Sequence, residues 1–184
     1  MRKIVAGLFI SLDGVIEAPH EWHFPYFNDE MGETVGAQMS ASDAMLLGRV
    51  TYQEFASFWP DKSEDDYEGS AHMNGTSKFV VSTTLDSVEE WQNSTLVKGD
   101  FVEEITKLKE QDGKNIGVTG SAMLVRSLIQ HGLLDELHLL VHPIVVGHGK
   151  QLFPDGTDQI PLKLLDSRLF DNGVLSVVYG PDKG

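Results

Sequence analysis

The chain has 184 residues, 41% hydrophobic and 23% charged, a balance that excludes disorder and collagen-like repeats and fits a single globular domain over residues 1–184. Fourteen basic against 28 acidic residues leave a net charge of −14, which argues against nucleic acid as a partner, because that affinity rests on Lys and Arg neutralising phosphates. Cysteine is absent, so disulfides, thiolate nucleophiles and Cys-ligated metals are excluded, and no apolar stretch reaches the roughly 20 residues of a membrane span.

Lys3 to Ser11 is a near-continuous apolar run closed by Asp13-Gly14, the pattern of a strand covered on both faces. Two basic residues, Arg2 and Lys3, stand at its start, as in a secretion signal. Asp13 and Glu17 interrupt the segment, however, and no small-residue cleavage site follows, so a cytoplasmic protein is expected. Leu12 to Asn28 reads as a loop, with Pro19, Pro25 and the aromatics Trp22, Phe24, Tyr26 and Phe27. Asn28 is a good N-cap for a helix over Asp29 to Ser42, on which Met31, Val35 and Met39 are helix-compatible. A short strand, Ala44 to Leu47, leads through Gly48 into a helix from Arg49 to Phe58, whose Tyr52, Phe55, Ala56 and Trp59 form an apolar stripe. Pro60 to Asp66 is an acidic surface loop.

Strands follow at Lys78 to Val81 and Thr95 to Val97, then a helix from Phe101 to Glu110. The stretch Asn115 to Phe153 is the most informative. A strand, Ile116 to Thr119, ends at Gly120, and a helix carrying Met123, Leu124, Leu128 and Ile129 stops at Gly132. A second apolar strand then runs from Leu137 to Val146. Two late strands, Leu162 to Phe170 and Val174 to Tyr179, are joined by the hairpin signal Asp171-Asn172-Gly173. Strands alternating with helices and closing on an antiparallel hairpin predict a three-layer α/β/α sandwich around a mostly parallel sheet.

Strand, glycine turn and helix in that order put unpaired N–H groups and a positive dipole end at the sheet's carboxyl edge, where a phosphate can bind. Three strand ends have the residues for it. Gly48, Arg49 and Thr51 offer backbone N–H groups, a guanidinium and a hydroxyl for a pyrophosphate; the alternative is a glycine turn with a capping threonine and a surface arginine. Ser82, Thr83 and Thr84 suit an adenosine ribose or its 2′-phosphate, or else a plain hydroxyl-closed turn. Thr119, Gly120, Ser121 and Ala122 allow backbone to approach a cofactor, although GxGxxG is missing.

Together these blocks resemble the dihydrofolate reductase superfamily, and within it the branch of the riboflavin-biosynthesis reductase domain and its small stand-alone relatives. The likeness is carried by Ser11-Leu12-Asp13-Gly14, Leu47 to Tyr52, Lys78 to Leu85, Thr119-Gly120-Ser121 through Leu137, His142 to Gly149, and Leu152-Phe153. It implies a dihydrofolate reductase-like fold and hydride transfer from NADPH, with NADH as the alternative, to a small pteridine- or ribosylaminopyrimidinone-like substrate. It also implies that Arg49 and Thr51 meet phosphates, Ser82 to Thr84 the adenosine side, and Gly120, Ser121, Ala122, Met123 and Leu124 the pyrophosphate. Ser11 to Gly14 and the aromatic loop would flank nicotinamide and substrate. Relatives often carry Arg where this chain has Thr83, which weakens the case for NADPH over NADH.

Candidate catalytic acids are Asp13 and Asp29, with Glu30 beside the latter; for Asp13 the residues favour the cap of an Asp-Gly turn over a proton donor. His138 and His142 share one strand face, but no carboxylate is spaced to complete a metal site with them, so a structural role and no metal are expected. His20 and His23 are placed to touch a substrate or simply to be solvated. The competing function is a catalytically silent protein on the same fold that binds a nucleotide or flavin-like ligand. A homodimer is expected through Leu137 to Val146 and Val174 to Tyr179, apolar strands placed at the sheet edge, where a two-fold partner is the commonest cover.

Overall fold

The computed structural model describes residues 1–182, and its centre is an eight-stranded sheet. The strands are β1 (Ile4–Ser11), β2 (Ser42–Gly48), β3 (Ser77–Val81), β4 (Ser94–Val97), β5 (Asn115–Val118), β6 (Glu136–His142), β7 (Leu162–Leu169) and β8 (Leu175–Pro181). The helices are α1 (Asp29–Ser40), α2 (Arg49–Ala56), α3 (Ser70–Gly75), α4 (Phe101–Glu110) and α5 (Ala122–Gln130). Across the sheet the order is β4-β3-β2-β5-β1-β6-β8-β7. All pairs are parallel except those made by β8, which runs antiparallel to both β6 and β7.

Alternation along the strands assigns the helices to faces. Ile4, Ala6, Leu8 and Ile10 of β1 join Ala44, Leu46, Ile116 and Val118 in one core, closed by Ile105 and Leu108 of α4 and Leu124, Val125 and Leu128 of α5. Met45 and Leu47 of β2 point the other way, into a core with Tyr52 and Ala56 of α2 and Met73 of α3. Farther along that second face Met31 of α1 packs on Leu140, Phe170 and Val174, with Phe9 beside them. The result is the expected three-layer sandwich, with α4 and α5 on one face and α1, α2 and α3 on the other.

Two expectations are corrected, and one element is added. The apolar strand β6 stops at His142 rather than Val146, because Pro143 cannot continue the ladder and the chain turns, Ile144 N–H donating to the His142 carbonyl. The strand Leu175–Pro181 is not an edge: β8 lies between β6 and β7, and β7 is the outer strand. A short helix, α3, occupies a stretch in which the sequence shows no apolar period.

Candidate functional site

At the carboxyl edge two adjacent parallel strands, β2 and β5, send their helices to opposite faces, α2 to one and α5 to the other. A crevice opens where connections diverge in this way, and in open α/β sheets ligands bind there. Side chains knit its floor. Ser121 Oγ accepts a hydrogen bond from Gly48 N–H at 3.0 Å and donates to Thr51 Oγ1 at 2.8 Å, while Ser121 N–H donates to the same Thr51 oxygen at 3.0 Å. Thr51 is buried, and its hydroxyl is engaged in fixing the two turns against each other.

Neither α2 nor α5 has a side-chain cap, whereas α1 is capped by Asn28 at Met31 N–H and α4 by Asp100 at Glu103 N–H. The first-turn N–H groups of α2 and α5 therefore remain for a ligand anion. Gly120 and Ser121 both adopt left-handed backbone, φ 60° and 55°. A Cβ on Gly120 would sit 3.1 Å from Thr51 Oγ1 and Cγ2, so only glycine leaves this junction intact. Arg49 is exposed on the first turn of α2, its Nη1 3.1 Å from Gln53 Oε1. Met123 projects into solvent, while Leu124 turns into the core and adds only backbone to the edge.

One strand further out, a cleft of about 290 Å³ lies between the ends of β3 and β4, lined by Ser82, Thr83, Lys98, Asp100, Phe101 and Glu104 among others. Ser82 is buried and its Oγ accepts from Thr84 N–H at 3.1 Å and Leu85 N–H at 3.0 Å, closing the turn and leaving Thr83 exposed at the cleft. Lys98 escaped the sequence reading. The register Val81↔Val97 puts it beside Ser82, but only the strand pairing reveals that neighbourhood.

On the opposite side of β5 stand the ends of β1 and β6. Asp13 accepts from Ser11 Oγ at 2.6 Å, Val146 N–H at 3.0 Å and Gly147 N–H at 2.8 Å. The Ser11 hydroxyl and those two N–H groups push its carboxyl down to about 2. Such a carboxylate stays ionised and clamps the turn after β6; it has no proton to give at neutral pH. Asp29 is exposed at the start of α1. Glu30 accepts from Asp171 N–H at 2.8 Å and pairs with Arg168 at 2.5 Å, which ties α1 to the β7–β8 turn and holds its carboxyl below the usual range. His138 is occupied at both nitrogens, by Gln38 and Glu136, whereas His142 is fully buried and bonds only through Nδ1.

Residues 2–176 match the RibD C-terminal domain family, and the chain belongs to it. The chain is similar to the protein YyaP of Bacillus subtilis (strain 168), itself uncharacterised, at 32% identity over 97% of this chain and 94% of that one. Its fold superposes with a TM-score of 0.78 on a putative riboflavin biosynthesis protein from Shewanella sp. PV-4, at 23% identity over the whole of both chains. A TM-score of 0.65 relates it to dihydrofolate reductase from Enterococcus faecalis in complex with NADP(H), at 14% identity over 98% of this chain and 97% of that one. The fold is thus the dihydrofolate reductase-like one. No described helix is long and apolar enough to cross a membrane.

Proposed function

We propose that the protein is a cytoplasmic, homodimeric NADPH-dependent reductase that passes a hydride to a small pteridine- or ribosylaminopyrimidinone-like heteroaromatic. The observation that carries this reading is the divergence of α2 and α5 at neighbouring strand ends, with both helix N-termini uncapped over a floor that only Gly120 permits. A dinucleotide fits these residues: the N–H groups of Arg49 to Thr51 and of Ala122 to Leu124 for its pyrophosphate, and the cleft beside Thr83 for its adenosine. The nicotinamide supplies the hydride; the chain's own work is to bind, orient and exclude water. Thr51 and Ser121 hold the two turns in register, and Asp13 fixes the turn after β6 against the end of β1.

Thr83 stands where relatives often carry an Arg able to hold a 2′-phosphate, and Lys98 is a cation lining the same cleft. Titration of the protein with NADPH and NADH, followed by cofactor fluorescence, tests the assignment. Lys98→Ala should weaken NADPH roughly tenfold, the worth of one charge-assisted hydrogen bond, and leave NADH unchanged. Equal losses for both cofactors would remove Lys98 from the 2′-position, and no binding of either would remove the reductase reading. One observation favours a second reading, a silent binding protein for a nucleotide or flavin-like ligand: Asp13 is locked as a carboxylate and Asp29 is exposed to solvent. Turnover with pterins and ribosylaminopyrimidinones separates the two.

A further inference from the structure

Where β1 and β6 end, aromatic rings close over His142 on the α1 face. The His142 imidazole is surrounded by Phe9, Trp22, His23 and Tyr26 at 5.2–6.2 Å between centroids, every pair near-perpendicular. Its Nδ1 lies 2.8 Å from the Leu140 carbonyl oxygen, which can only accept, so Nδ1 holds the hydrogen and Nε2 presents a lone pair. That Nε2, and Nδ1 of His23, are buried without a hydrogen-bond partner among the described residues. A buried nitrogen without a partner has lost its hydration with nothing in return, so two in one box require an explanation. His23 also lies flat on Phe9, centroids 4.6 Å apart and planes 9° from parallel.

The cover over this box is built from short turns rather than from a long helix or a strand. The segment enters through Ala18 in left-handed backbone, φ 45°, a conformation that strains a residue with a Cβ, and makes two short 3₁₀ turns at Pro19–Glu21 and Phe24–Tyr26. Phe24 and Phe27 face solvent on its outside. Trp22 Nε1 donates to the Glu17 carbonyl at 3.1 Å, and Asn172 donates to the Tyr26 carbonyl. Burial, then the neighbouring His142, pushes His23 down to about 4, and burial lowers His142 as well. Both rings are neutral at physiological pH, so His142 Nε2 is an acceptor awaiting a donor.

We propose that His23 is a built-in stand-in for a ligand ring: a planar heteroaromatic bearing a ring N–H displaces it from the face of Phe9 and donates that N–H to His142 Nε2. The exchange satisfies both orphan nitrogens, since the displaced His23 reaches water. The inference rests on the reductase reading, which puts substrate beside nicotinamide at these strand ends; Ser11 and His142 are register partners there.

Lumazine (pteridine-2,4-dione) has N–H groups at N1 and N3, and 1,3-dimethyllumazine has none, so the pair isolates the hydrogen bond. Both are titrated by fluorescence, without cofactor, against wild type, His23→Ala and His142→Phe. Wild type should prefer lumazine by about tenfold, His142→Phe should erase that preference, and His23→Ala should bind lumazine about tenfold more tightly than wild type. Absence of the preference in wild type, its survival in His142→Phe, or unimproved lumazine binding by His23→Ala overturns the inference. The wild-type comparison needs no variant, so a misfolded His142→Phe does not rescue it. NADPH binding without lumazine discrimination sinks the stand-in alone, whereas discrimination without cofactor binding sinks the reductase reading and leaves the box a ligand site.

Discussion

Asp13 shows how a residue's surroundings decide its chemistry. A depressed carboxylate contributes stability that is present above its unfolded value, 3.8, and is lost as pH falls through about 2. Asp13→Asn keeps the shape but loses the charge that holds two N–H groups. We expect a lower Tm at pH 7 and a gap to wild type that narrows between pH 4 and 2, read by thermal unfolding across pH. An activity inflection near pH 6 that vanishes in Asp13→Asn would instead mark it as a proton donor. Gly120 makes a second case. An alanine there pays roughly 1–2 kcal/mol for left-handed backbone and pushes Thr51 off Ser121. Gly120→Ala should therefore lose cofactor affinity and lower Tm together; unchanged affinity in a folded protein would remove this turn from the site.

At the scale of elements, what the sequence made legible follows from periodicity. The α4 bounds Phe101–Glu110 coincide with the apolar spacing of Phe101, Ile105 and Leu108 because Asp100 caps the helix from sequence-adjacent range. The Gly-ended strands were legible for the same local reason. What was hidden depends on neighbours distant in sequence: the Thr51–Ser121 bond spans 70 positions, Lys98 meets Ser82 only through strand pairing, and the His23–His142 box joins the loop after β1 to the end of β6. The helix α3 was illegible because a buried lysine anchors its exit. Lys78, wholly buried, donates to the carbonyls of Asn74, Thr76 and Gln92 and lies 4.2 Å from the Trp91 ring centroid.

Lys78→Met leaves those carbonyls without their donor and should cost about 1–3 kcal/mol in chemical denaturation. Burial lowers Lys78 from 10.5 to about 8, so between those values the unfolded chain binds more protons and the wild-type protein gains stability as pH rises. The Met variant should lack that gain. An identical alkaline rise in both proteins would show that the ammonium is not the source.

For the whole molecule the outer strand β7 is the exposed liability. Leu164, Leu165 and Leu169 of β7 and Leu175 of β8 are 45–66% exposed, and the outer edge of β7 is unpaired among the described residues. The proposed homodimer therefore forms on β7 rather than on β6, which is covered on both sides. Light scattering should give twice 20.3 kDa, and Leu169→Asp should return the mass to one chain. A single-chain mass for wild type at raised concentration would contradict the dimer.

The diverging helix starts at β2 and β5, extended by the cleft at β3 and β4, are proposed to hold the dinucleotide. A backbone amide ¹H–¹⁵N correlation spectrum recorded through an NADPH titration tests it most directly. Saturable shifts are expected at Gly48 to Thr51, Thr83 and Thr84, Lys98 to Phe101 and Gly120 to Leu124, with β7 silent. Shifts that avoid those four segments, or a spectrum unchanged at saturating NADPH, would contradict it.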